Sequence, residues 1–426
     1  MTSHHRRETA VLETPPLALY VHFPWCVRKC PYCDFNSYTL HGELEEQRYV
    51  EALQRDLEAQ APETAGRQVI SVFLGGGTPS LFSPRAMGQL LECARRHLTL
   101  AADLEVTLEA NPGTIERGRF SEYRAVGINR VSLGAQSFDD ARLAALGRIH
   151  SADETRLAAA ELHAAGIDNF NIDLMYGLPG QDAAAALRDL EGALELSPSH
   201  LSHYQLTVEA GTAFAGCPPT LPDDETSDRM LEACSARLAE AAFAQYEVSA
   251  YAAAGRRCRH NLNYWSFGDY LGVGAGAHGK LSLPAAGQVV RTTQMREPRR
   301  YLSAPGPGTF TRTAVSPHEL PFEFMLNALR LVDGFDIGTF TGRTGLPWES
   351  VAGTMASLVG EGLIAASGPC YRASPLGLRF LNDVLLRFVT EIPQSVGQSE
   401  LSTAPQSPPA LAGRALFTGV EGENVK

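Results

Sequence analysis

Three cysteines near the amino-terminal end of the sequence have the density and spacing of a metal site. Cys26, Cys30 and Cys33 follow the pattern C-x3-C-x2-C within the segment HFPWCVRKCPYCDF. Thiolates grouped in this way bind zinc or an iron–sulfur cluster. A tetrahedral zinc ion and a cluster of four irons each take four ligands, so the three cysteines leave one position for a different group.

Two kinds of metal site are compatible with this spacing. A structural zinc ion would take three thiolates and a histidine, for which His22 and His41 are the neighbouring candidates. A [4Fe–4S] cluster would take the three thiolates and keep one iron without a protein ligand. The pattern is not typical of a zinc finger and no second cysteine pair follows, which favours the cluster.

The composition is that of an ordinary globular protein. The chain has 426 residues, 44% of them hydrophobic, which suggests one large domain and a smaller one. Its formal net charge of −12 argues against a nucleic-acid binder. No apolar run approaches the roughly 20 residues of a membrane span, and the initial MTSHHRRETA lacks the apolar core of a signal peptide. We therefore expect a cytoplasmic protein.

Apolar, β-rich segments alternate with helical patterns between residue 17 and about residue 245. Strands are predicted at LALYVHF, VISVFL, EVTLEA, RVSLGAQ, FNIDLMY and LSHYQLTV, with apolar residues at helical spacing between them. HSADE and PGQD predict helix starts. Repeated βα units with nearly continuous apolar strands predict a parallel sheet, open or closed into a full or partial barrel.

The unusual polar residues of this region fall where the predicted strands end. GGGTP follows VISVFL, Glu109 closes EVTLE, Gln136 closes VSLGAQ and Asp173 lies in FNIDLMYGLPG. The first strand leads directly into the cysteines. Because ligands bind at the carboxyl ends of parallel strands, we expect these groups to line one mouth of the sheet.

The pattern changes after residue 285. Helices are predicted in HELPFEFMLNALRLVDG, PWESVAGTMASLVGEG and PLGLRFLNDVLLRFV, with a small hairpin in LIAASGPCYRASP. The predicted divisions are a flexible segment at 1–16, a barrel and its extension at 17–285, a mostly helical C-terminal domain at 286–389, and a disordered tail rich in Ser, Pro and Gln at 390–426.

The segment CVRKCPYC resembles the signature of the radical S-adenosylmethionine (SAM) superfamily, in which C-x3-C-x2-C holds a [4Fe–4S] cluster. The resemblance implies that the amino and carboxylate groups of SAM occupy the open iron. YVHFPWC, GGGTPS, EANP, GAQSF, LGRIH and NIDLMYGLPGQ resemble, in order, the motifs of the anaerobic coproporphyrinogen dehydrogenase branch, from about residue 17 to 385. The implied fold is α/β: a partial (β/α)6-type radical SAM barrel followed by a small, mostly helical C-terminal domain.

Matching these motifs position by position gives the SAM-binding residues that the resemblance implies. Two tyrosines would flank SAM, the glycine run and its threonine would present backbone and hydroxyl donors to the methionine portion, and the other strand-end groups would fix its charged and hydroxyl groups. The set is Tyr20, Tyr32, Gly76, Gly77, Thr78, Glu109, Gln136, Arg148 and Asp173. Taken singly, each also fits a structural role, Glu109 as a strand-end carboxylate and Arg148 as a surface charge.

This branch contains two kinds of protein, and three features separate them. The dehydrogenase oxidatively decarboxylates two propionates of coproporphyrinogen III, whereas relatives of the HemW type are haem chaperones that pass haem to apoproteins. The dehydrogenase has a further cysteine where this sequence has Phe35, and a longer arm before the first strand. HNLNYW, residues 260–265, matches the H-N-x-x-Y-W motif of the chaperones.

His260 opens that motif and is the predicted haem ligand. Neutral imidazole is a standard axial ligand, and Tyr264 and Trp265 would offer flat surfaces to a porphyrin face. The structural alternative is that these aromatic residues pack in the core. His22 is a second candidate ligand. The segment GVGAGAHG contains G-x-G-x-x-G but lacks the following helix and acidic residue of a nucleotide site, so it predicts a close-packed loop near the mouth.

The sequence therefore predicts a cytoplasmic haem chaperone with a [4Fe–4S] cluster, SAM and haem as cofactors. Haem-accepting apoproteins such as respiratory enzymes are the implied partners, with a homodimer and peripheral contact with membrane proteins as further expectations. The alternatives are an oxygen-independent coproporphyrinogen III dehydrogenase and another radical reaction on a different substrate. Whether the chain is an enzyme stays open, with the carrier favoured.

Overall fold

The computed structural model describes residues 11–64, 66–114, 119–303 and 310–389. A 12-stranded sheet forms its centre, with a three-stranded and a two-stranded sheet beside it. The strands are β1 Leu17–Phe23, β2 Trp25–Cys26, β3 Tyr38–Thr39, β4 Gln68–Gly76, β5 Thr99–Ala110, β6 Arg130–Gln136, β7 Phe170–Tyr176, β8 His200–Gln205, β9 Ala244–Glu247, β10 Ala250–Ala252, β11 Asp269–Val273, β12 His278–Leu283, β13 Gln288–Thr293, β14 Thr311–Ala314, β15 Phe335–Asp336, β16 Ile364–Ser367 and β17 Cys370–Ala373.

Helices connect most of these strands. They are α1 Glu46–Gln60, α2 Pro84–His97, α3 Arg119–Val126, α4 Asp140–Ala145, α5 Ala152–Ala164, α6 Ala183–Leu194, α7 Ala213–Gly216, α8 Asp224–Glu240, α9 Arg259–Trp265, α10 Pro298–Ser303, α11 Leu320–Ala328, α12 Ile337–Thr344, α13 Glu349–Gly360, α14 Pro375–Arg379 and α15 Leu381–Leu386. The helix starts predicted at HSADE and PGQD are confirmed, because Ser151 forms a capping box with Glu154 and Asp182 caps α6.

The large sheet has a parallel centre and antiparallel flanks. Its order is β14-β13-β12-β11-β1-β4-β5-β6-β7-β8-β10-β9, and the strands from β11 to β8 run parallel. Because the order has two different end strands, the sheet is open within the described residues. This arrangement confirms the predicted parallel sheet of six βα units in a partial barrel.

The two faces of the sheet bury different groups. On the outer face, Leu19 and Val21 of β1 pack with Leu53 of α1 and Leu90 of α2 in the largest apolar cluster. On the inner face, the alternate β1 residue Tyr20 joins a separate cluster that includes aromatic residues of α9. Within the described residues, α9 packs on the inner face together with Leu331, whereas the surrounding helices pack on the outer face.

The C-terminal part has an apolar core of its own. Phe324 and Phe340 lie at its centre, packed with residues of α13 and α15. The predicted hairpin is confirmed as β16 paired with β17, and α12, which was not predicted, begins where Asp336 accepts a hydrogen bond from the Thr339 amide. Within the described residues, no helix combines the length and apolar character of a membrane span.

Two predicted segment boundaries can be compared with the secondary structure and the packing. The division between residues 285 and 286 falls in the helical turn Pro284–Ala286, between two paired strands of the large sheet. We therefore propose a division near residue 315, after β14. Residues 1–10 and the predicted tail at 390–426 lie outside the described residues, whereas Leu12 is buried in the C-terminal core. Part of the segment predicted as flexible therefore packs against the C-terminal core at Leu12.

Candidate functional site

The three cysteines lie on a loop that leaves the carboxyl end of β1. Cys26 belongs to β2, which pairs with β3 on the far side of the loop. Cys30 and Cys33 form a turn in which the Cys33 amide donates to the Cys30 carbonyl at 3.1 Å. Lys29 Nζ donates to the Phe35 carbonyl at 2.9 Å, which closes the loop on itself. All three cysteines stay partly exposed, so a metal reaches them from solvent.

The glycine run after β4 supports this loop through its backbone. The Gly77 amide donates to the Phe23 carbonyl at 2.7 Å and the Thr78 amide to the Trp25 carbonyl at 2.8 Å. A Cβ at Gly77 would lie 2.7 Å from the Trp25 oxygen, so only glycine allows this approach. The Gly76 amide donates to Glu109 Oε2 at 3.0 Å. All three amides therefore donate within the protein in this structure, and contacts of Gly76, Gly77 and Thr78 with SAM stay a prediction.

His22 holds the loop from the inner face of β1. Its Nε2 lies 2.9 Å from the Asn36 carbonyl, which only accepts, so Nε2 carries the proton. Its Nδ1 then accepts from the Tyr20 hydroxyl at 2.9 Å. Burial lowers the pKa of His22 to about 4, so the ring is neutral. Both ring nitrogens of His22 are thus engaged within the protein, which favours a structural role, whereas His41 is exposed.

Arg148 links the cysteine loop to strand β6. Its Nη1 donates to Cys30 Sγ at 3.7 Å and its Nη2 to the Gly134 carbonyl at 2.7 Å. Burial alone would lower the pKa of Arg148, but the Tyr32 and Cys30 side chains beside it raise that pKa overall. The guanidinium therefore remains charged, which suits an anionic metal–thiolate group or a carboxylate.

Gln136 and Asp173 lie at two depths of the same mouth. Gln136 ends β6 with a φ of 70°, an uncommon value for a residue with a side chain. Its Oε1 accepts from the Tyr204 hydroxyl at 2.6 Å. Asp173, in the middle of β7, accepts from Ser132 Oγ at 3.3 Å and Asn171 Nδ2 at 3.0 Å. Gln136 is therefore at the rim, and Asp173 lies deeper on the inner face.

Several supporting residues were not predicted as site residues. Tyr204 fixes Gln136, and the Asn36 amide joins the cysteine loop to the Ala275 carbonyl at 3.0 Å. His150 bonds to Asn111 Oδ1 and to the Ala135 carbonyl. The segments EANP and LGRIH contain Asn111 and His150 and carried a usable signal, whereas Tyr204 and Asn36 follow only from the folded chain. The loop at GVGAGAHG is close-packed against the mouth as predicted, since a Cβ at Gly276 would meet the Asn36 side chain at 2.0 Å.

His260 lies below the mouth, enclosed by the sheet. Its Nδ1 lies 3.1 Å from Ser71 Oγ, and its ring centre is 4.9 Å from that of Phe73 and 6.4 Å from that of Tyr20. Burial, with Arg130 as a second cause, lowers the pKa of His260 to about 3. The imidazole is therefore neutral, which is the form that binds iron, but it is 3% exposed.

The aromatic residues of the same helix also face the core. Tyr264 and Trp265 are 8% and 7% exposed and pack with Tyr270. In this conformation they pack on the inner face, which is the structural alternative, and their predicted role as flat surfaces for a porphyrin stays a prediction. The start of α9 is fixed by Glu105, whose Oε1 accepts from the His260 amide at 3.1 Å. The His260 side chain is therefore not open to a porphyrin in this conformation.

The donor set of the loop fits a three-thiolate cluster. Burial raises the pKa of the Cys26 thiol to about 11 and also raises that of Cys33, so these two thiols keep their protons until a metal displaces them. The charged Arg148 beside Cys30 compensates the negative charge that then develops. The mouth thus combines three soft ligands with carboxylate, amide and guanidinium groups on adjacent strand ends.

A parallel sheet with C-x3-C-x2-C after its first strand defines the class of radical SAM proteins. The profile of the Radical SAM superfamily matches residues 20–191, and that of the HemN C-terminal domain matches residues 315–380. The chain is 45% identical to the protein named "Heme chaperone HemW" of Escherichia coli over 381 residues, which cover 89% of this chain and 100% of that protein. The chain belongs to the HemW family.

Two further comparisons agree. The chain is 37% identical to "Radical S-adenosyl methionine domain-containing protein 1, mitochondrial" of Bos taurus, with 91% of each protein covered. The fold matches the solved coproporphyrinogen III oxidase HemN of Escherichia coli with a TM-score of 0.74 over 90% of this chain and 92% of that one, at 21% identity. That likeness supports the fold. Membership of the superfamily implies a [4Fe–4S] cluster and SAM.

Proposed function

We propose that this protein is a haem chaperone, which binds haem and passes it to apoproteins. The observation that carries the proposal is the 45% identity to the Escherichia coli protein of that name along that protein's whole length. Phe35, at the position where the dehydrogenase has a further cysteine, supports the same choice. Respiratory enzymes are the proposed acceptors, the cytoplasm the proposed location, and a homodimer with peripheral contact to membrane proteins the proposed assembly.

The proposed cofactor site follows the geometry of the mouth. Cys26, Cys30 and Cys33 would hold the [4Fe–4S] cluster, which supplies electrons to SAM when both are bound. Arg148 would balance the charge at Cys30. The remaining proposed SAM residues are Tyr20, Tyr32, Gly76, Gly77, Thr78, Glu109, Gln136 and Asp173. The glycines among these shape the space beside SAM, since their amides bond within the protein.

His260 is the proposed haem ligand. The Ser71 hydroxyl beside Nδ1 fixes one ring nitrogen, which leaves Nε2 as the ligand atom. Because the ring is neutral it needs no deprotonation to bind iron. Its enclosure implies that haem binds only when α9 opens, so association should be slow and independent of haem concentration at high concentration.

A haem-transfer experiment tests the proposal. Chain purified without oxygen, with its cluster rebuilt, would be loaded with haem and mixed with an apo-respiratory enzyme, and recovery of that enzyme's activity would be followed. We expect transfer by the native chain and weakened haem binding by His260→Gln, with the iron–sulfur absorbance unchanged. His163→Gln, an exposed histidine replaced in the same way, is the matched control.

The alternative is tested in the same sample. Reductant, SAM and coproporphyrinogen III would be added, and protoporphyrinogen would be measured after oxidation to the fluorescent porphyrin. Steady turnover would identify a coproporphyrinogen dehydrogenase and overturn the carrier. Absence of turnover, with cluster and SAM binding verified, together with haem transfer, is the expected result. Cys30→Ala should remove the cluster, whereas Cys217→Ala, an exposed cysteine elsewhere, should not.

A further inference from the structure

A second group of metal-binding side chains lies on the outer helical layer, away from the mouth. Glu58 of α1 and Cys93 and His97 of α2 each place one donor atom within 4.8 Å of the other two. His97 Nε2 and Glu58 Oε1 are 3.4 Å apart. Two ligands on a tetrahedral zinc ion, with bonds of about 2.0–2.3 Å, are roughly 3.3–3.8 Å apart. The histidine and carboxylate already have that spacing.

The two helices present these residues in register. Cys93 and His97 are four positions apart, so both lie on one face of α2. On α1, Glu58 follows Gln54 by four positions, and Gln54 Nε2 donates to the Gln89 carbonyl one turn before Cys93 at 3.1 Å. This hydrogen bond joins α1 to α2 one helical turn before the three donors and fixes the relative position of the two helices there. The group is thus built on two packed helices and not on flexible loops.

Charges of both signs surround the three donors: the Arg96 side chain hydrogen-bonds to Cys93 and must move aside for an ion, whereas the helix end attracts one. His97 is the last residue of α2, so the free carbonyls of that helix end carry a partial negative charge near the three donors. Cys93 is buried, whereas the His97 and Glu58 side chains are 36% and 49% exposed. An ion would therefore approach from solvent between the histidine and the carboxylate and meet the thiol behind them.

We propose that Glu58, Cys93 and His97 form a binding site for a divalent cation of the zinc class, distinct from the cysteine loop. On binding, the thiol proton passes to solvent, and the thiolate, imidazole and carboxylate take three positions, with water in the fourth. One thiolate, one imidazole and one carboxylate suit Zn²⁺ better than Mg²⁺ or Ca²⁺, which prefer oxygen ligands. The ion would join the carboxyl-terminal turns of α1 and α2.

This joint has a consequence for the mouth. Asp56 lies in the same last turn of α1 as Glu58, and its Oδ2 accepts from the Gly274 amide at 3.0 Å. Gly274 belongs to the loop packed against β1, since a Cβ there would lie 2.4 Å from the His22 carbonyl. A metal that fixes the end of α1 therefore also stabilises the loop behind the cysteine site. We expect bound Zn²⁺ to raise the temperature of unfolding by several degrees.

The test separates this site from the cysteine loop. The full chain carrying Cys26→Ala, Cys30→Ala and Cys33→Ala, and separately the cluster-loaded native chain, would be stripped of adventitious metal and titrated with Zn²⁺ against a chromophoric chelator. We expect about one equivalent to bind in both. Glu58→Gln and His97→Gln should each weaken binding by more than the roughly 10- to 100-fold that follows loss of an outer hydrogen-bond partner of a metal ligand.

Matched variants complete the test. Glu92→Gln removes an exposed carboxylate on the same helix, paired with Arg95, and should leave Zn²⁺ binding unchanged. With Co²⁺ as the probe in the triple-alanine chain, a thiolate charge-transfer band should appear and be absent in Cys93→Ser. Since Glu58 and His97 are exposed, their variants should fold. Equal Zn²⁺ affinity in Glu58→Gln, His97→Gln and the parent, or no binding by the parent, would overturn the proposal and leave Glu58–His97 as a surface ion pair.

Discussion

The cysteine loop and the His260 helix are joined to the same strands but are built in opposite ways. The loop stands at the carboxyl ends of the strands, and its three thiols remain partly exposed. His260 lies on the inner face beside Ser71, which pairs in register with Glu105. Glu105 and Glu109 share the inner face of β5, four residues or roughly 13 Å apart. Glu109 therefore marks the level of the mouth, and Glu105 marks the deeper level of His260.

This difference means that metal binding by the cysteines and haem access to His260 have different requirements. The thiols need only lose their protons for a metal to bind, because the backbone around them is already fixed by the glycine run. His260 has the protonation state that iron requires, but its side chain is buried between α9 and the strands that carry Ser71, Phe73 and Tyr20. The mouth is therefore a preorganised site, whereas the His260 level depends on a conformational change. The predictions below test each level against the other.

The largest loss of folding stability is expected on substitution of Gly76, where no other residue type fits. Gly76 has a φ of 113°, and a Cβ there would lie 2.5 Å from the His22 ring. Gly76→Ala should therefore destabilise the fold by roughly 3–5 kcal/mol and reduce cluster retention. Urea denaturation measures the change. Gly353→Ala, in the open middle of α13, should stabilise by about 0.5–1 kcal/mol, and equal effects at both positions would contradict the argument.

Acid should lower the stability of the fold at both levels, the mouth and the His260 region. His22 and His260 are buried as neutral rings, with pKa values of about 4 and about 3, against about 6.5 when unfolded. Their contribution to stability is complete above the unfolded value and is lost as pH falls toward the folded values, by up to about 3 kcal/mol for His22 and about 5 kcal/mol for His260. The free energy of unfolding should fall steeply from about pH 6.5 to 3.

A matched pair of variants assigns that loss. His260→Gln should flatten the pH dependence, because one buried titrating ring is removed. His163 is exposed, and its bonds to the Leu196 carbonyl and Asp168 raise its pKa, so its small contribution has the opposite sign and fades as pH rises. A His163→Gln chain with the same flattened profile as His260→Gln would show that burial is not the cause.

A smaller effect is expected at the start of α9. Glu105 accepts from the Arg259 and His260 amides, so Glu105→Gln weakens the start of this helix. The loss should be about 1–2 kcal/mol, and haem should associate faster because α9 opens more often. Stopped-flow absorbance measures the rate. Asp103→Asn breaks only the exposed pair with Arg259 and should leave the rate unchanged; faster binding there too would exclude a specific gate.

The predictability of the two levels follows from the range of the interactions that build them. The mouth was predictable because Glu109 and Gln136 each follow from a local rule, a polar residue at the end of an apolar strand. Asp173 was expected at a strand end as well but lies in the middle of β7. The burial of His260 was not predictable, because α9 and its partner Ser71 are 189 positions apart in the chain. The proposed boundary near residue 315 did not follow from the sequence, since β12 to β14 pair as hairpins within a sheet formed mainly by earlier strands.

The smallest predicted effect concerns Tyr204, a contact that only the folded chain shows. The Tyr204 hydroxyl donates to Gln136 Oε1 at 2.6 Å, and the φ of 70° at Gln136 gives that side chain few other supports. Tyr204→Phe should weaken SAM binding by about three- to tenfold, the value of one hydrogen bond of about 0.5–1.5 kcal/mol. Isothermal titration of the cluster-loaded chain measures it. Tyr251→Phe, which removes a hydroxyl bonded to Ser235 on the outer layer, should leave SAM affinity unchanged. If both variants bind SAM like the parent, Gln136 is held by the strand alone, and the mouth is preorganised by its backbone without help from this side chain.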